Sequence, residues 1–136
     1  MTRAELVTFL RTHRVAVVST VSPSGAPESA LVGFAVSDAL ELVFDTLSTT
    51  RKARNLRANP RVAIVIGGWG AHEVTAQLEG LADERVGDRL REVYYAAYPD
   101  GRERAAWPGL VYVRVRVTWA RFSDFAAQPP RIELVA

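Results

Sequence analysis

Cysteine is absent from this 136-residue sequence, which excludes a disulfide framework, a thiolate nucleophile and any cysteine-ligated zinc site. Histidine is scarce. His13 and His72 have no i, i+4 spacing and no acidic cluster around them, so neither a metal centre nor histidine-based acid–base catalysis is expected. No run of about 18 apolar residues occurs, and charges recur through the N-terminal TRAELVTFLRTHR. A transmembrane helix and a signal peptide are therefore not expected, and the cytoplasm is the expected location. Lysine is nearly absent: of 17 basic residues only Lys52 is a lysine, and the rest are arginines.

What is present is an ordinary globular composition, 49% hydrophobic and 24% charged, expected to form one domain over residues 1–136. The formal net charge is +2, but its distribution is uneven. The segment RKARNLRANPR carries Arg51, Lys52, Arg54, Arg57 and Arg61 with no acid, while acids outnumber bases in the rest of the chain. That pattern argues against general adhesion to nucleic acid or membrane, and for a local anionic partner.

Thr2-Arg3-Ala4-Glu5 has the form of a capping box, and Leu6, Phe9 and Leu10 follow at helical spacing, so a helix is expected over about residues 3–12. RVAVVSTV, ESALVGFAV and LELVFDT read as three strands joined by the turns SPSGAP and Ser37-Asp38-Ala39, pointing to antiparallel hairpins. STTRKARNLRAN reads as a short helix from near Thr49, stopped at Asn59-Pro60. RVAIVIGG and HEVTAQLEGLA are two further strands across Gly67-Gly68-Trp69-Gly70, a turn that fits no phosphate-loop pattern.

Asp83 is expected to cap a helix in DERVGDRLREVYYAAY, with the tyrosines and Trp107 as helix packing. Pro99 to Pro108 reads as a loop. In LVYVRVRVTWARF, Leu110, Tyr112, Arg114, Arg116 and Thr118 alternate with Val111, Val113, Val115, Val117 and Trp119, so the two arginines share a face, read first as solvated and alternatively as forming salt bridges between subunits. The tail after it reads as irregular. Hairpin-connected strands with interposed helices make a mainly β fold: a six-stranded antiparallel barrel.

The strongest candidate site is the start of the basic helix. The hydroxyls of Ser48, Thr49 and Thr50, with the free N–H groups of the first turn, form an anion pocket. Arg51 and Lys52 stand in that first turn, where cations oppose the helix dipole unless an anion is bound. Ser19 and Ser24 lie in no nucleophile elbow, so a serine hydrolase is not expected.

The order of these features resembles the pyridoxamine 5′-phosphate oxidase-like, FMN-binding split-barrel family. The resemblance lies in VAVVSTVSPSGAPESALVGF, LVFDT, STTRKARNLRANPRVAIV and VTAQLEG, and most specifically in Thr46, Thr50-Arg51-Lys52 and Asn55-Leu56 to Asn59-Pro60. It covers residues 5–82 well and the remainder by element order. It implies a six-stranded split β-barrel and a homodimer with flavin sites at the subunit interface. It further implies that Arg51 and Lys52 hold the FMN phosphate, that Ser29, Ala30, Leu31 and Val32 line the isoalloxazine ring, and that Asp45 and Thr46 belong to the site.

By the same resemblance Thr75, or Gln77 in a shifted register, reaches the cofactor, and Trp119 or Phe122 of the other subunit completes the pocket. Two features depart from the oxidases that act on pyridoxamine 5′-phosphate. Glu28 and Ser29 stand where those enzymes have an arginine, and QPPRIELVA has no Arg-x-His-Asp-Arg-like motif. The expected function is thus an FMN-dependent oxidoreductase whose substrate the sequence does not name, with the two departures arguing against vitamin B6 oxidation. Its alternatives are a reductase using the deazaflavin F420, with Arg54, Arg57 and Arg61 extending the basic surface, and a non-catalytic flavin carrier. A haem protein finds the least support.

Overall fold

The computed structural model describes residues 1–70 and 73–135. The elements run α1 (Arg3–Arg11), β1 (Val15–Val21), β2 (Pro27–Gly33), β3 (Ala35–Val36), β4 (Glu41–Leu47), α2 (Arg51–Ala58), β5 (Arg61–Gly67), β6 (Val74–Asp83), α3 (Asp88–Ala97), α4 (Gly101–Arg104), β7 (Leu110–Asp124) and β8 (Arg131–Leu134). The strands form one sheet in the order β2-β1-β5-β6-β7-β4-β3, with β8 also on β7, and every pairing is antiparallel. The outermost strands of that order, β2 and β3, are separated in sequence by Phe34 alone. A sheet whose two ends are joined by one residue has to curl, and the result is an antiparallel half-barrel with short helices.

The inside of the curl is apolar because the strands alternate. Ala16 and Val18, then Val62, Ile64 and Ile66, then Ala76 and Leu78 point inward and are buried. Helix α1 adds Leu6, Val7 and Leu10 to this core; its Thr2–Glu5 capping box forms as the sequence implies, and Phe9 meets Phe122 edge-on at 5.3 Å. Helix α2 adds Leu56. On the outer side, α3 packs Leu90 and Tyr94, with Val86 just ahead of the helix, against Ala35, Val43 and Tyr112. That second cluster covers the β3-β4-β7 half of the sheet.

Several expectations need correction. The sheet has eight strands rather than six: Phe34 splits the expected second strand, and the tail, expected to be irregular, adds β8. The Pro99–Pro108 loop contains the short helix α4. Asp83 does not cap α3, whose N-cap is Gly87; its carboxylate instead accepts from the Arg85 amide and from Arg114. Trp107 does not pack on a helix and is 54% exposed.

The expected alternation along β7 fails at one place. Glu79 pairs with Trp119 and Gly80 with Val117, so Thr118 is an extra residue, a β-bulge. Before it Val113 and Val115 face the core; after it Ala120 and Phe122 do. Trp119 is thereby turned outward, off the face of the valines that a regular alternation would have it share. Gly80 makes the bulge possible, since a Cβ there would lie 2.5 Å from the Arg116 carbonyl oxygen. The Gly67–Gly70 segment forms the expected turn, with Gly67 and Gly68 at φ of 96° and 78°. His72 lies outside the described residues.

Candidate functional site

Thr50 is the N-cap of α2. Its hydroxyl accepts from the Ala53 amide and donates to the Leu47 carbonyl, and it meets the Thr46 hydroxyl at 3.1 Å. The strand end at Leu47 therefore aims the helix, and the amides of Arg51 and Lys52 remain as the free donors of its first turn. No acid stands in that turn, so the helix begins with two cations and nothing on its own chain segment to offset them.

A cleft of about 410 Å³ opens there, lined by Thr20, Glu28, Ser29, Ala30, Thr49, Thr50, Arg51 and Lys52. Strand β2 is an end of the strand order, so the cleft lies between a sheet edge and a helix start. Lys52 is half-buried and has no carboxylate or hydrogen-bond partner among the described residues. Burial lowers the pKa of its ammonium. Arg51 is mostly exposed and donates from Nη1 to Glu28 Oε2 at 3.0 Å.

Glu28 is firmly held. Its other oxygen accepts from Asn55 Nδ2 at 2.8 Å, and the same amide donates to the buried Thr20 hydroxyl at 3.0 Å. Asn55 is only 4% exposed. Sequence reading leaves Thr20, Glu28 and Asn55 out of the binding set. The usable signal is the cross-strand register, since Thr20 and Glu28 are direct partners, but that pairing appears only once the hairpin is built.

Of the residues expected at the site, Ser29, Ala30, Thr50, Arg51 and Lys52 line this cleft. Thr46 is buried beneath Thr50. Leu31 projects to solvent, 61% exposed, whereas the Val32 side chain is in the core. Asp45 points to the other side of β4, where Arg104 holds it at 2.9 Å. Thr75 and Gln77 lie on the outer face of β6.

Trp119 is also on the outer face and partly exposed, whereas its competitor Phe122 is buried against Phe9. The lateral row Ser29–Ser19–Ala63–Glu79–Trp119 crosses four strand spacings, or about 19 Å. Within one chain Trp119 and the cleft do not meet.

Other expectations sort themselves by contact. Arg114 is not a solvated residue: it donates to both Asp83 oxygens and reaches Glu41 at 3.5 Å. Arg57 is engaged in two hydrogen bonds to Glu84, which removes it from the basic surface available to a ligand. His13 Nδ1 lies 3.2 Å from the Phe9 carbonyl and its ring rests on Phe9. No metal-binding cluster of His, Cys, Asp or Glu occurs among the described residues, and none of their helices is long and apolar enough to cross a membrane.

Comparison with known proteins agrees with the fold. The family model for pyridoxamine 5′-phosphate oxidase matches residues 2–124. A pyridoxine/pyridoxamine 5′-phosphate oxidase of Bordetella avium is 33% identical over 122 residues, covering 83% of this chain and 57% of that one. The chain thus spans little more than half the length of that curated relative. Among solved structures, a haem-binding protein from Mycobacterium smegmatis superposes with a TM-score of 0.81 at 19% identity, covering 97% of this chain and 56% of the other.

A pyridoxamine 5′-phosphate oxidase-related, FMN-binding protein from Nostoc punctiforme superposes with a TM-score of 0.70 at 15% identity, covering 97% and 85%. These two structures share the fold. With a family model matched over most of its length and a relative above 30% identity across its β core, the chain belongs to the pyridoxamine 5′-phosphate oxidase-like split-barrel family.

Proposed function

We propose that this protein binds a flavin by its phosphate at the N-terminus of α2, with FMN the first candidate, and serves as a flavin-dependent oxidoreductase for a small molecule. The observation that carries this reading is Lys52: a half-buried cation without a partner among the described residues, in the first turn of a helix, facing a cleft. An anion placed there relieves both the desolvated ammonium and the unfavourable helix dipole. Lys52 and Arg51 would hold the phosphate, and Ser29 and Ala30 at the edge of β2 would flank the rest of the ligand.

A bound flavin supplies the hydride or electron transfer. The protein supplies position. Glu28, the carboxylate in the cleft, is already engaged by Arg51 and Asn55, so it is not free for general acid–base work.

A homodimer belongs to the same reading. Leu31, Val65, Leu81, Trp119 and Leu134 are exposed on strands β2, β5, β6, β7 and β8, on the part of the sheet that α3 leaves uncovered. A second copy seated on that face would bring its Trp119 to a cleft that the chain's own Trp119 cannot reach. Burial of such a face is the usual basis of a stable pair.

F420 is the second reading, favoured by the presence of Glu28 in the cleft, which reduces its positive charge. Side-by-side titration with FMN and F420 tests the proposal, followed by reduction with NAD(P)H or reduced F420 and by light scattering for mass. Micromolar binding, a dimer mass and turnover are expected. Binding without turnover would make the protein a carrier, and binding of neither cofactor would refute the reading.

A further inference from the structure

Three ionised side chains face the cleft, and one has the wrong sign for an anion site. Arg51 and Lys52 are cationic; Glu28 is a carboxylate with 19% of its side chain exposed. It cannot swing away freely, because Arg51 holds one oxygen at 3.0 Å and Asn55 holds the other at 2.8 Å. Asn55 is in turn fixed to Thr20 at 3.0 Å within the buried layer. The net charge presented to a ligand is therefore a single positive charge.

We propose that Glu28 is a specificity residue that biases the cleft toward a flavin whose phosphate is a singly charged diester, and against the doubly charged monoester. The proposal rests on the reading of this cleft as the phosphate site. A phosphate monoester has its second ionisation near pH 6, so at pH 8 it carries almost two charges; a diester carries one. Each ligand charge meets the same repulsion from Glu28, so the dianion meets it twice.

The dianion also requires more donors to replace its water shell, and one Arg51 N–H is already committed to Glu28. At the strength of a partly exposed charge pair, about threefold in affinity per ligand charge, Glu28 weakens a diester about threefold and a monoester about tenfold.

The probes are FMN and its 5′-methyl phosphodiester, which keep the ring and ribityl chain identical and differ by one charge. Both are titrated at pH 8 into wild type, Glu28→Gln and Lys52→Ala, with flavin fluorescence as the readout. Glutamine keeps an acceptor for Asn55 and removes the charge. We expect Glu28→Gln to tighten FMN about tenfold and the diester about threefold, moving the preference about threefold toward FMN.

Equal shifts for both ligands, or weakening of both, would overturn the assignment to Glu28 while the loss of both in Lys52→Ala kept the phosphate site itself. Binding of neither ligand to wild type, or unchanged affinities in Lys52→Ala, would refute the site and the proposal together.

Discussion

Arg104 Nε donates to the Asp45 carboxylate at 2.9 Å, and the same guanidinium reaches Asp100 and the Tyr94 hydroxyl. One side chain thus ties α4 to β4 and to α3. The bond to Asp45 raises the pKa of Arg104, while burial raises that of Tyr94. Asp45→Asn removes the charge that balances a partly buried guanidinium. We expect a loss of about 1–2 kcal/mol in stability, with flavin affinity unchanged because Asp45 faces away from the cleft. Denaturant unfolding and a flavin titration of the same variant check both halves.

Lys52 should trade stability against binding. The folded chain holds its ammonium proton less tightly than the unfolded chain does, so the charge costs stability at neutral pH, and that cost fades as pH rises toward 10.5. Lys52→Met is expected to stabilise the ligand-free protein by about 0.3–1 kcal/mol, the usual size of a misplaced helix-end charge. Lys52→Ala is expected to weaken the cofactor by about 1.5–3 kcal/mol. Thermal melts with and without FMN read out the opposite signs.

Asp83 should govern part of the acid sensitivity. Burial favours its protonated form, but hydrogen bonds from Arg114 and the Arg85 amide hold its pKa below 3.8. The unfolded chain therefore binds this proton more readily. The contribution is complete above 3.8 and is lost as pH falls through the folded value. Asp83→Asn should lower stability at pH 7 by about 1 kcal/mol and flatten its decline as pH falls below about 5. A variant whose acid limb matched wild type would contradict this.

Gly80→Ala should be costly for its size. The added carbon would meet the Arg116 carbonyl at 2.5 Å and Val115 Cγ1 at 2.9 Å, both in the sheet. A penalty of about 1–3 kcal/mol is expected, with a change in Trp119 fluorescence as the bulge shifts. An unchanged melting temperature would show that the sheet opens there freely.

The helix starts and the early hairpins were legible because their signals are local. Thr2 and Glu5 form the capping box that the sequence implies, and Thr50 caps the basic helix one residue from the expected start. That Thr50, Arg51 and Lys52 border one cleft was legible for the same reason, since they are consecutive. What escaped depends on partners far along the chain. Glu28 meets Arg51 and Asn55 across 23 and 27 positions, and Asp83 is drawn from its expected capping role by Arg114, 31 positions on. Thr118 breaks an alternation that sequence alone continues, because Gly80 on the neighbouring strand accommodates the extra residue.

Thr118 sets a reading frame for the end of the chain. Upstream of it the odd-numbered valines of β7 are inside; downstream the even-numbered Ala120 and Phe122 are. Removing this one residue would set Trp119 directly after Val117 and leave Trp119 and Arg121 outside and Ala120 and Phe122 inside, as along an unbroken strand. A single-residue deletion at position 118 therefore keeps the core and the outward tryptophan and removes only the local bend and twist that the inserted residue gives the strand.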